Sequence, residues 1–548
     1  MDSAVFTPQA RFTLDELEAR FPPRQLPAGA RVTRFGPSPT GFMHIGGLYT
    51  SLVSRRLAHQ SGGKFFLRIE DTDKKREVEG TVDLIVASLA AYGLSPDEGE
   101  VADGQEVGDY GPYRQSERGA IYQSCVRWLL DQGHAYPCFA TAEELQALRD
   151  EQTRRKVPPG YYGAWAIWRD KSETEVAAAL ASGLPFTVRL RASGGRDERV
   201  TLPDTIRGDL EFPANQTDVV LLKADGMPTY HLAHVVDDHF MRTTDVIRGN
   251  EWLASYPMHA QMFGLFGWAP PRFAHISPIE KQDGGSRRKL SKRHDPEASV
   301  GWYMEAGYPK GAVIEYLLNL IDGRFEDWRA ENPGVSNEDF QIELERMNRA
   351  GALFDLVKLD SVSREVVGAM SAKAIYDAAL VWASAHDPRF AVRFAADPAY
   401  SQAILDIERH GERPRKDIVR WDQLPADIGY FFNDRYAELL GEAKAAFAAL
   451  QPAPAQGLLA AVAAGYDPAL GRDQWLEWLR ELGLGFGYAP NAKTFKQAPD
   501  QYIGHFGDLA GVLRVVLAAR RNTPDLHEMM QVLGKDRVVA RLGSATGW

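Results

Sequence analysis

A short stretch near the N-terminus combines the residue types that a bound nucleotide requires. It runs from Arg34 to Gly47 and reads Arg-Phe-Gly-Pro-Ser-Pro-Thr-Gly-Phe-Met-His-Ile-Gly-Gly. Gly46 and Gly47 let a bulky ligand approach the backbone, and the amides of the helix expected to follow them favour phosphate oxygens. His44 can donate a hydrogen bond to charge that develops during a reaction. The stretch therefore predicts a nucleotide site, with a turn that carries an incidental histidine as the alternative.

A second stretch is strongly basic and follows the flexible pair Gly284 and Gly285. Residues 287–293 read Arg-Arg-Lys-Leu-Ser-Lys-Arg. Lys289 and Lys292 on a mobile loop could close over a triphosphate and neutralise it as pyrophosphate leaves. Taken alone, a solvated or RNA-facing basic loop would be the preferred interpretation. Its occurrence with the first stretch favours ATP chemistry.

Together the two stretches resemble the signature motifs of class I aminoacyl-tRNA synthetases, commonly written HIGH and KMSKS. They stand here as His44–Gly47 and Lys289–Arg293. Arg34–Gly47, followed by Leu67–Asp73, resembles the glutamyl-tRNA synthetase family of bacterial type. The resemblance is close over residues 31–295 and weaker to the end, and it continues through Gly111-Pro112-Tyr113, Pro228-Thr229-Tyr230, Val235-Val236-Asp237-Asp238 and Val246-Ile247-Arg248-Gly249.

The resemblance implies ATP-dependent activation of L-glutamate and its transfer to the 3′ end of tRNA(Glu) in protein translation. Neither step requires a protein nucleophile, so positioning and charge stabilisation supply the rate, with Mg²⁺ bound through the triphosphate. The catalytic residues would be His44, Lys289 and Lys292. ATP would be bound by His44, Gly46, Gly47, Glu251 and Lys292.

The chemistry of glutamate agrees with several of the residues in these motifs. Two carboxylates and one ammonium require at least two cationic or donor groups and one acid, and Arg34, Tyr230, Arg248 and Glu70 meet that requirement. By resemblance, Glu70 takes the amino group with help from Ser38. Arg34, Tyr230 and Arg248 would hold the carboxylates, and which arginine reads the side chain stays open.

Composition limits the possible partners and compartments. The formal charge of −11 argues against a protein that coats nucleic acid indiscriminately, so local basic patches must make any RNA contact. Two cysteines, Cys125 and Cys138, fit a reducing compartment and are expected to be buried thiols. Without a signal peptide or membrane span, we expect a cytoplasmic protein with no membrane partner. The family suggests a monomer.

No metal site is expected in the chain itself. Cys138 falls where several members of the family place a zinc-binding knuckle, but no second thiol is near it in the sequence. Asn250 also departs from the family, in which an acidic residue usually follows the Arg-Gly pair. Its contact with ATP or the tRNA end is therefore in doubt.

The elements that must position these residues begin with a strand, a helix and a second strand. Val32–Phe35 and Phe65–Ile69 are the strand candidates, and a helix with an apolar face at Leu48, Leu52, Val53 and Leu57 lies between them. In such a parallel sheet, ligands collect beyond the carboxyl ends of the strands. His44 and Glu70 both fall at such ends.

Further strands appear only downstream, at Val219–Lys223, Asp245–Arg248 and Phe273–Ser277, with a helix over Glu251–Phe266. At 548 residues the chain should form about three to five domains. We expect an α/β protein: a Rossmann-like parallel sheet split by an inserted α+β domain and followed by an all-helical C-terminal region. The expected segments are an extension (1–30), the Rossmann catalytic halves (31–112 and 227–288), an inserted acceptor-stem-binding domain (113–226), a stem-contact region with the KLSKR loop (289–365) and a helical anticodon-binding region (366–548).

The helical tail also separates the alternatives. A glutaminyl-tRNA synthetase would end in β-barrels and carry Asp-Asp-Thr-Asn in place of Glu70–Asp73. A glutamyl-queuosine enzyme or a small-molecule nucleotidyltransferase would not need such a tail, and a non-catalytic tRNA-binding paralogue would not need both phosphate motifs. We expect the tail to bind the anticodon stem and loop through Arg413, Arg415, Lys416 and Arg420, with structural surface charge as the other interpretation.

Overall fold

The computed structural model describes residues 2–101, 104–291, 293–411, 414–450 and 455–548. The chain divides into two compact units, Met1–Trp302 with Ile314–Asp355 and Tyr303–Val313 with Leu356–Trp548. Among the described helices, none has the length and apolar character that crossing a membrane requires.

The strands are β1 (Val32–Phe35), β2 (Lys64–Leu67), β3 (Glu98–Glu100), β4 (Glu106–Val107), β5 (Ala135–Cys138), β6 (Thr187–Leu190), β7 (Arg199–Asp204), β8 (Gly208–Pro213), β9 (Val220–Leu222), β10 (Asp245–Gly249), β11 (Arg272–Ile276), β12 (Ile279–Asp283), β13 (Ser286–Lys289), β14 (Ala352–Leu353), β15 (Tyr488–Ala489) and β16 (Gly504–His505). The helices of the first unit and its border are α1 (Leu14–Arg20), α2 (Ile45–Gln60), α3 (Thr81–Ala91), α4 (Gly119–Asp131), α5 (Ala142–Arg154), α6 (Glu173–Ala181), α7 (Tyr230–Phe240), α8 (Tyr256–Phe266), α9 (Val300–Glu305), α10 (Lys310–Ile321) and α11 (Arg324–Glu331). The remaining helices are α12 (Leu356–Gly368), α13 (Ala372–His386), α14 (Pro388–Ala395), α15 (Pro398–Asp406), α16 (Leu424–Asp427), α17 (Asn433–Glu438), α18 (Leu440–Leu450), α19 (Ala455–Gly465), α20 (Arg472–Gly485), α21 (Ala492–Gln497), α22 (Phe506–Ala518), α23 (Leu526–Leu533) and α24 (Lys535–Ala545).

The parallel sheet of the first unit is assembled from two distant parts of the sequence. Strands β1, β2 and β3 are parallel, and β4 adds an antiparallel edge. Strands β10 and β11 form a second parallel pair. The two parts adjoin, because the amide of Thr244 donates to the carbonyl of Val32 over 2.9 Å. The predicted parallel sheet, interrupted by an insertion, is therefore confirmed.

One strand belongs to a different sheet from the one we predicted. Val219–Lys223 was grouped with the downstream strands of the parallel sheet, although it lies within the expected insertion (113–226), and β9 pairs antiparallel with β6, which also pairs with β5. A short apolar run indicates a buried strand but does not indicate which strand it pairs with.

Both cysteines are buried thiols, as expected. In the inserted segment the thiol of Cys138 donates to the hydroxyl of Tyr161 over 3.3 Å.

Helix α8 begins five residues later than the sequence indicated. We expected a helix over Glu251–Phe266, whereas Asn250–Ser255 forms a 3₁₀ helix and α8 begins at Tyr256. Pro257 explains the difference, because proline lacks the amide donor of a helix interior and fits the first turn.

The N-terminal segment packs as part of the first unit. Helix α1 has the predicted bounds and begins with a capping box between Thr13 and Glu16. Phe6, Leu17 and Phe21 are buried in the same apolar core as α4 and α7. The segment 1–30 therefore contributes to that core.

The second unit is helical around a core of its own, as predicted. Trp475, Leu513 and Met530 are among its buried residues. The two-residue strands β15 and β16 are a small addition to the helices. The boundaries proposed for the domains within each unit stay predictions.

Candidate active site

A cavity of about 650 Å³ opens beyond the carboxyl ends of β1, β2 and β10. It is the place where the first unit brings together distant parts of the sequence. All the described residues that we predicted to be catalytic or to bind glutamate or ATP line it: Arg34, Ser38, His44, Gly46, Gly47, Glu70, Tyr230, Arg248, Glu251 and Lys289. Lys292 lies outside the described residues.

His44 joins the two sequence motifs. Its Nδ1 accepts a hydrogen bond of 2.9 Å from the amide of Gly46, which places the ring proton on Nε2. Nε2 lies 3.2 Å from the carbonyl oxygen of Leu290, in the second motif. Lys289 approaches from the same side, with its Nζ 3.9 Å from Oε1 of Glu251. The two motifs therefore face one cavity.

Part of the basic stretch is a β-hairpin. We expected a mobile loop, but β12 and β13 pair antiparallel around Gly284, whose φ of +57° suits a tight turn. Arg288 forms ion pairs with Asp283 and Asp295 over 2.7 and 2.5 Å. Its hydrogen bonds lower the pKa of Asp295. Arg288 is thus held within the hairpin, whereas Lys289 lines the cavity.

Asp238 on α7 anchors one side of the cavity. Its carboxylate lies 3.1 Å from Nε of Arg34, 2.7 Å from Nη1 of Arg68 and 2.5 Å from Nδ1 of His234. Burial alone would raise its pKa, but Arg34 and Arg68 hold the pKa of Asp238 well below its usual range. Asp238 is therefore ionised and fixes both arginines.

Glu70 presents a buried acid to the cavity. Its Oε1 accepts from Nη2 of Arg68 over 3.0 Å. Burial raises the pKa of Glu70 despite the neighbouring guanidinium groups of Arg68 and Arg34. An arriving ammonium group would offset that burial by stabilising the carboxylate.

Arg248 has a different environment from Arg34 and Arg68. Its Nε and Nη1 donate to histidine rings, and its buried Nη2 has no hydrogen-bond partner among the described residues. Burial lowers the pKa of Arg248, and the phenol of Tyr230 stabilises its charged form. Burial also raises the pKa of Tyr230 to about 12. Arg248 is the cation of the cavity whose charge no described carboxylate pairs directly.

The cavity therefore carries a positive charge in excess. The side chains that line it carry four positive charges, on Arg34, Arg76, Arg248 and Lys289, and three negative charges, on Glu70, Asp73 and Glu251. A ligand with one net negative charge would balance them. L-Glutamate, with two carboxylates and one ammonium, has that charge.

Comparison with known proteins agrees with this chemistry. The family model "tRNA synthetases class I (E and Q), catalytic domain" matches residues 31–327, and the model "Anticodon binding domain" matches residues 492–546. A glutamate–tRNA ligase of Clostridium perfringens (strain 13) is 45% identical over 523 residues, which cover 95% of this chain and 96% of that protein.

The chain belongs to the glutamate–tRNA ligase family.

Other members of the glutamate–tRNA ligase family agree in sequence and in fold. A relative from Sorangium cellulosum (strain So ce56) is 44% identical over 96% of this chain and 97% of its own length. The crystal structure of a glutamate tRNA ligase from Elizabethkingia meningosepticum, in complex with its amino acid, matches with a TM-score of 0.74 and 28% identity, covering 94% of this chain and 99% of that chain. A glutamate-tRNA synthetase from Elizabethkingia anophelis matches with a TM-score of 0.72 and 29% identity, covering 95% and 100%.

Sequence reasoning missed several residues of this glutamate–tRNA ligase site. Asp238 entered only as part of the family resemblance, although an acid on the apolar face of α7 already indicates a buried partner for a cation. Trp252, whose ring stacks on Tyr230 with centroids 4.0 Å apart, also lines the cavity. The others are Arg68 and the rings around Arg248: His234, His259 and His275.

Replacing Gly36 by alanine tests the position of Glu70. A Cβ at residue 36 would clash with the Glu70 carboxylate, 2.8 Å from its Cδ, and Arg68 prevents Glu70 from moving freely. We expect KM for glutamate to rise about tenfold, because overpacking of this kind costs about 1–3 kcal/mol. Steady-state kinetics with glutamate and with ATP measure the effect. Gly264→Ala, with nothing within 4 Å of the new Cβ, is the control and should leave both KM values unchanged.

Proposed function

We propose that the protein activates L-glutamate with ATP and transfers the glutamyl group to the 3′ end of tRNA(Glu), as its relatives' name implies. The observation that carries the proposal is the cavity at the meeting point of the two motifs, with one positive charge in excess. That cavity suits an acidic amino acid beside a nucleotide. Membership of the glutamate–tRNA ligase family supports the same reaction.

Within the cavity we assign the amino group of glutamate to Glu70, with Ser38 beside it. Arg34 and Tyr230 bind the α-carboxylate, and Arg248 binds the side-chain carboxylate. The assignment of Arg248 rests on charge: Asp238 already pairs with Arg34, whereas Nη2 of Arg248 has no hydrogen-bond partner among the described residues. The two N–H groups of Nη2 can each donate a hydrogen bond to a carboxylate oxygen.

In the first step, an α-carboxylate oxygen of glutamate attacks the α-phosphorus of ATP, and pyrophosphate leaves. In the second, a terminal ribose hydroxyl of tRNA attacks the acyl-adenylate, and AMP leaves. We assign ATP binding to His44, Gly46, Gly47, Glu251 and Lys292, with Lys289 beside the leaving phosphates. Since His44 donates to Leu290 in this conformation, its contact with phosphate requires the hairpin to shift.

Mg²⁺ would enter with the triphosphate and neutralise part of its charge. The described residues offer no group of three or more His, Cys, Asp or Glu side chains placed to hold a metal ion. The protein's own part is therefore to position glutamate and ATP around Arg34, Glu70 and Arg248.

Lys292→Ala tests the second motif. Loss of one preorganised donor to the phosphates is expected to lower ATP–pyrophosphate exchange about a hundredfold or more. Arg293→Ala, one residue further along the stretch, is the comparison and should change exchange by much less. Exchange near the wild-type rate in the Lys292 variant would exclude this role.

For the anticodon region we propose contacts from Arg415, Lys416 and Arg420; Arg413 lies outside the described residues. The three described cations already pair with Asp417, Glu365 and Asp422 in the same unit. The Lys416–Glu365 pair is exposed and should contribute only about 0–1 kcal/mol, so a phosphate can replace that carboxylate, whereas the side chains of Arg415 and Arg420 are only 9% and 23% exposed. Arg415 also lines a cavity of about 310 Å³ with Arg520, and Arg520 belongs to the segment 492–546 that matches the anticodon-binding model.

The finer features of the proposal follow from the reaction. We infer a monomer that acts in the cytoplasm, where its tRNA and ATP are available. Charging assays with purified tRNA(Glu) and tRNA(Gln), together with ATP–pyrophosphate exchange with and without tRNA, test the function. We expect glutamate-dependent exchange that requires tRNA and charging of tRNA(Glu). Exchange with an amino acid but no charging would favour a small-molecule nucleotidyltransferase, and tRNA binding without exchange would favour a non-catalytic paralogue.

A further inference from the structure

Three buried histidines surround the guanidinium group of Arg248. Nε of Arg248 donates to Nε2 of His275 over 2.9 Å. Nη1 lies 3.1 Å from Nε2 of His234 and 3.1 Å from Nδ1 of His259. All three rings are buried. We call these residues the histidine cage.

The hydrogen-bond pattern fixes which nitrogen of each ring carries a proton. A guanidinium group has only donors, so each ring nitrogen that faces Arg248 must be an unprotonated acceptor. The proton is then on the opposite nitrogen. In His275 that nitrogen is Nδ1, which lies 2.7 Å from Oδ2 of Asp204. In His234 it is also Nδ1, which lies 2.5 Å from Oδ2 of Asp238. In His259 it lies 3.1 Å from Nδ1 of His231.

Each cage ring is therefore neutral while it accepts from Arg248. Burial lowers the pKa of His234 to about 3 and that of His259 well below its usual range, and it also lowers the pKa of His275. These rings satisfy three donors of Arg248 without cancelling its charge. A carboxylate in the same place would both orient and neutralise it, as Asp238 does for Arg34 and Arg68.

The orientation of Arg248 leaves a defined part of it for a ligand. Nη2 is buried and has no hydrogen-bond partner among the residues that the structure describes. The face of the guanidinium also packs over Phe273, with its central carbon 4.7 Å from the ring centroid. Ring and cage together hold the guanidinium plane of Arg248 in place at the wall of the cavity, which Arg248 lines.

We propose that His234, His259 and His275 are positioning residues that orient Arg248 with its charge unpaired, so that the cavity selects the carboxylate of glutamate over the amide of glutamine. The proposal rests on the proposed function, in which Arg248 binds the side chain of the substrate. The carboxylate of glutamate is favoured because a buried cation such as Arg248, without a counter-charge beside it, is stabilised most by an anion. The amide of glutamine has no charge to offer.

Paired substitutions at two cage positions test the proposal. At His275 the atom that accepts from Arg248 is Nε2. The side-chain oxygen of glutamine can reach the position of Nε2, whereas the side-chain oxygen of the shorter asparagine cannot. At His259 the accepting atom is Nδ1, whose place asparagine matches better. The proposal therefore predicts that the better amide differs between the two positions. His275→Gln and His259→Asn keep Arg248 oriented for glutamate, whereas His275→Asn and His259→Gln lose that orientation.

ATP–pyrophosphate exchange with tRNA(Glu) provides the measurement, with KM determined for glutamate and for ATP and kcat/KM compared between glutamate and glutamine. For the two disfavoured variants we expect KM for glutamate to rise about tenfold or more, as for a buried donor left unsatisfied, and selectivity over glutamine to fall by a similar factor. KM for ATP should change less than about twofold, because the cage acts through Arg248, which is assigned to glutamate and not to ATP. The favoured variants should stay within about threefold of wild type.

The outcomes separate the two proposals. If the wild-type protein shows no glutamate-dependent exchange, the proposed function fails and the cage loses its basis. If the wild type is active but both positions prefer the same amide, or KM for glutamate and ATP rise together, only the cage proposal is refuted. Thermal unfolding identifies any variant that does not fold. If a variant at one position fails to fold, the comparison of asparagine with glutamine at the other position decides whether the cage proposal holds.

Discussion

Substitution of Arg248 by glutamine is expected to lower kcat/KM for glutamate by about two to three orders of magnitude. The change removes the cation whose charge no described carboxylate pairs, in a cavity that needs that charge to balance an acidic ligand. Losing one partner of a buried charge pair costs about 2–5 kcal/mol, and the expected factor corresponds to about 3–4 kcal/mol. KM for ATP should change by less than about threefold, since the nucleotide motifs lie elsewhere in the cavity.

Initial rates of pyrophosphate exchange at varied glutamate and varied ATP measure both effects. Arg272→Gln is the matched control: Arg272 lies on the neighbouring strand β11, is more than half exposed and pairs with Asp245. We expect that variant to behave as wild type. Equal losses for glutamate and ATP in the Arg248 variant would show that Arg248 does not select the amino acid.

Substitution of Asp238 by asparagine is expected to lower the free energy of unfolding of the first unit by about 3–5 kcal/mol. Asp238 is fully buried and is the shared counter-charge of Arg34 and Arg68. The neutral amide would remove the carboxylate that pairs with Arg34 and would leave Arg68 only Glu70 and, 3.8 Å away, Asp237. Activation of glutamate should fall as well, because Arg34 and Glu70 would lose their fixed positions.

Denaturant-induced unfolding compares the stability of the variants. Asp170→Asn is the control, since Asp170 is largely exposed and its pair with Arg191 should contribute at most about 1 kcal/mol. If the Asp238 variant unfolds no earlier than the Asp170 variant, the buried ion pairs do not stabilise the unit as we propose.

The sequence predicted the parts of the site that depend on local order. Strand β1, Val32–Phe35, has the predicted bounds, and helix α2, Ile45–Gln60, begins directly after His44. Such bounds can be predicted because glycine, proline and the spacing of apolar residues mark turns and helix faces within a few positions. The residues that line the cavity followed from those local positions. The family resemblance added their roles, which stay proposals.

Contacts between distant positions were beyond such reasoning. Arg68 meets Asp238 across 170 positions, and no local pattern indicates which acid a buried arginine meets. The same limit explains why β9 was grouped with the strands of the parallel sheet, and why residues 287–293 were expected to form a mobile loop although Arg288 pairs with Asp295. Charge and hydrophobicity describe a segment, whereas pairing depends on the folded chain.

The split sheet has a consequence for synthesis on the ribosome. Arg34 contacts Asp238 over 204 positions, so the N-terminal part of the catalytic cavity emerges long before its counterpart. Until α7 has been translated, Arg34 on β1 and Arg68, directly after β2, have no Asp238 to meet. Because domains fold as units during synthesis, the nascent chain must keep this half open while the whole insertion is made. A ribosome stalled within the insertion would therefore carry a chain that cannot yet form the glutamate pocket.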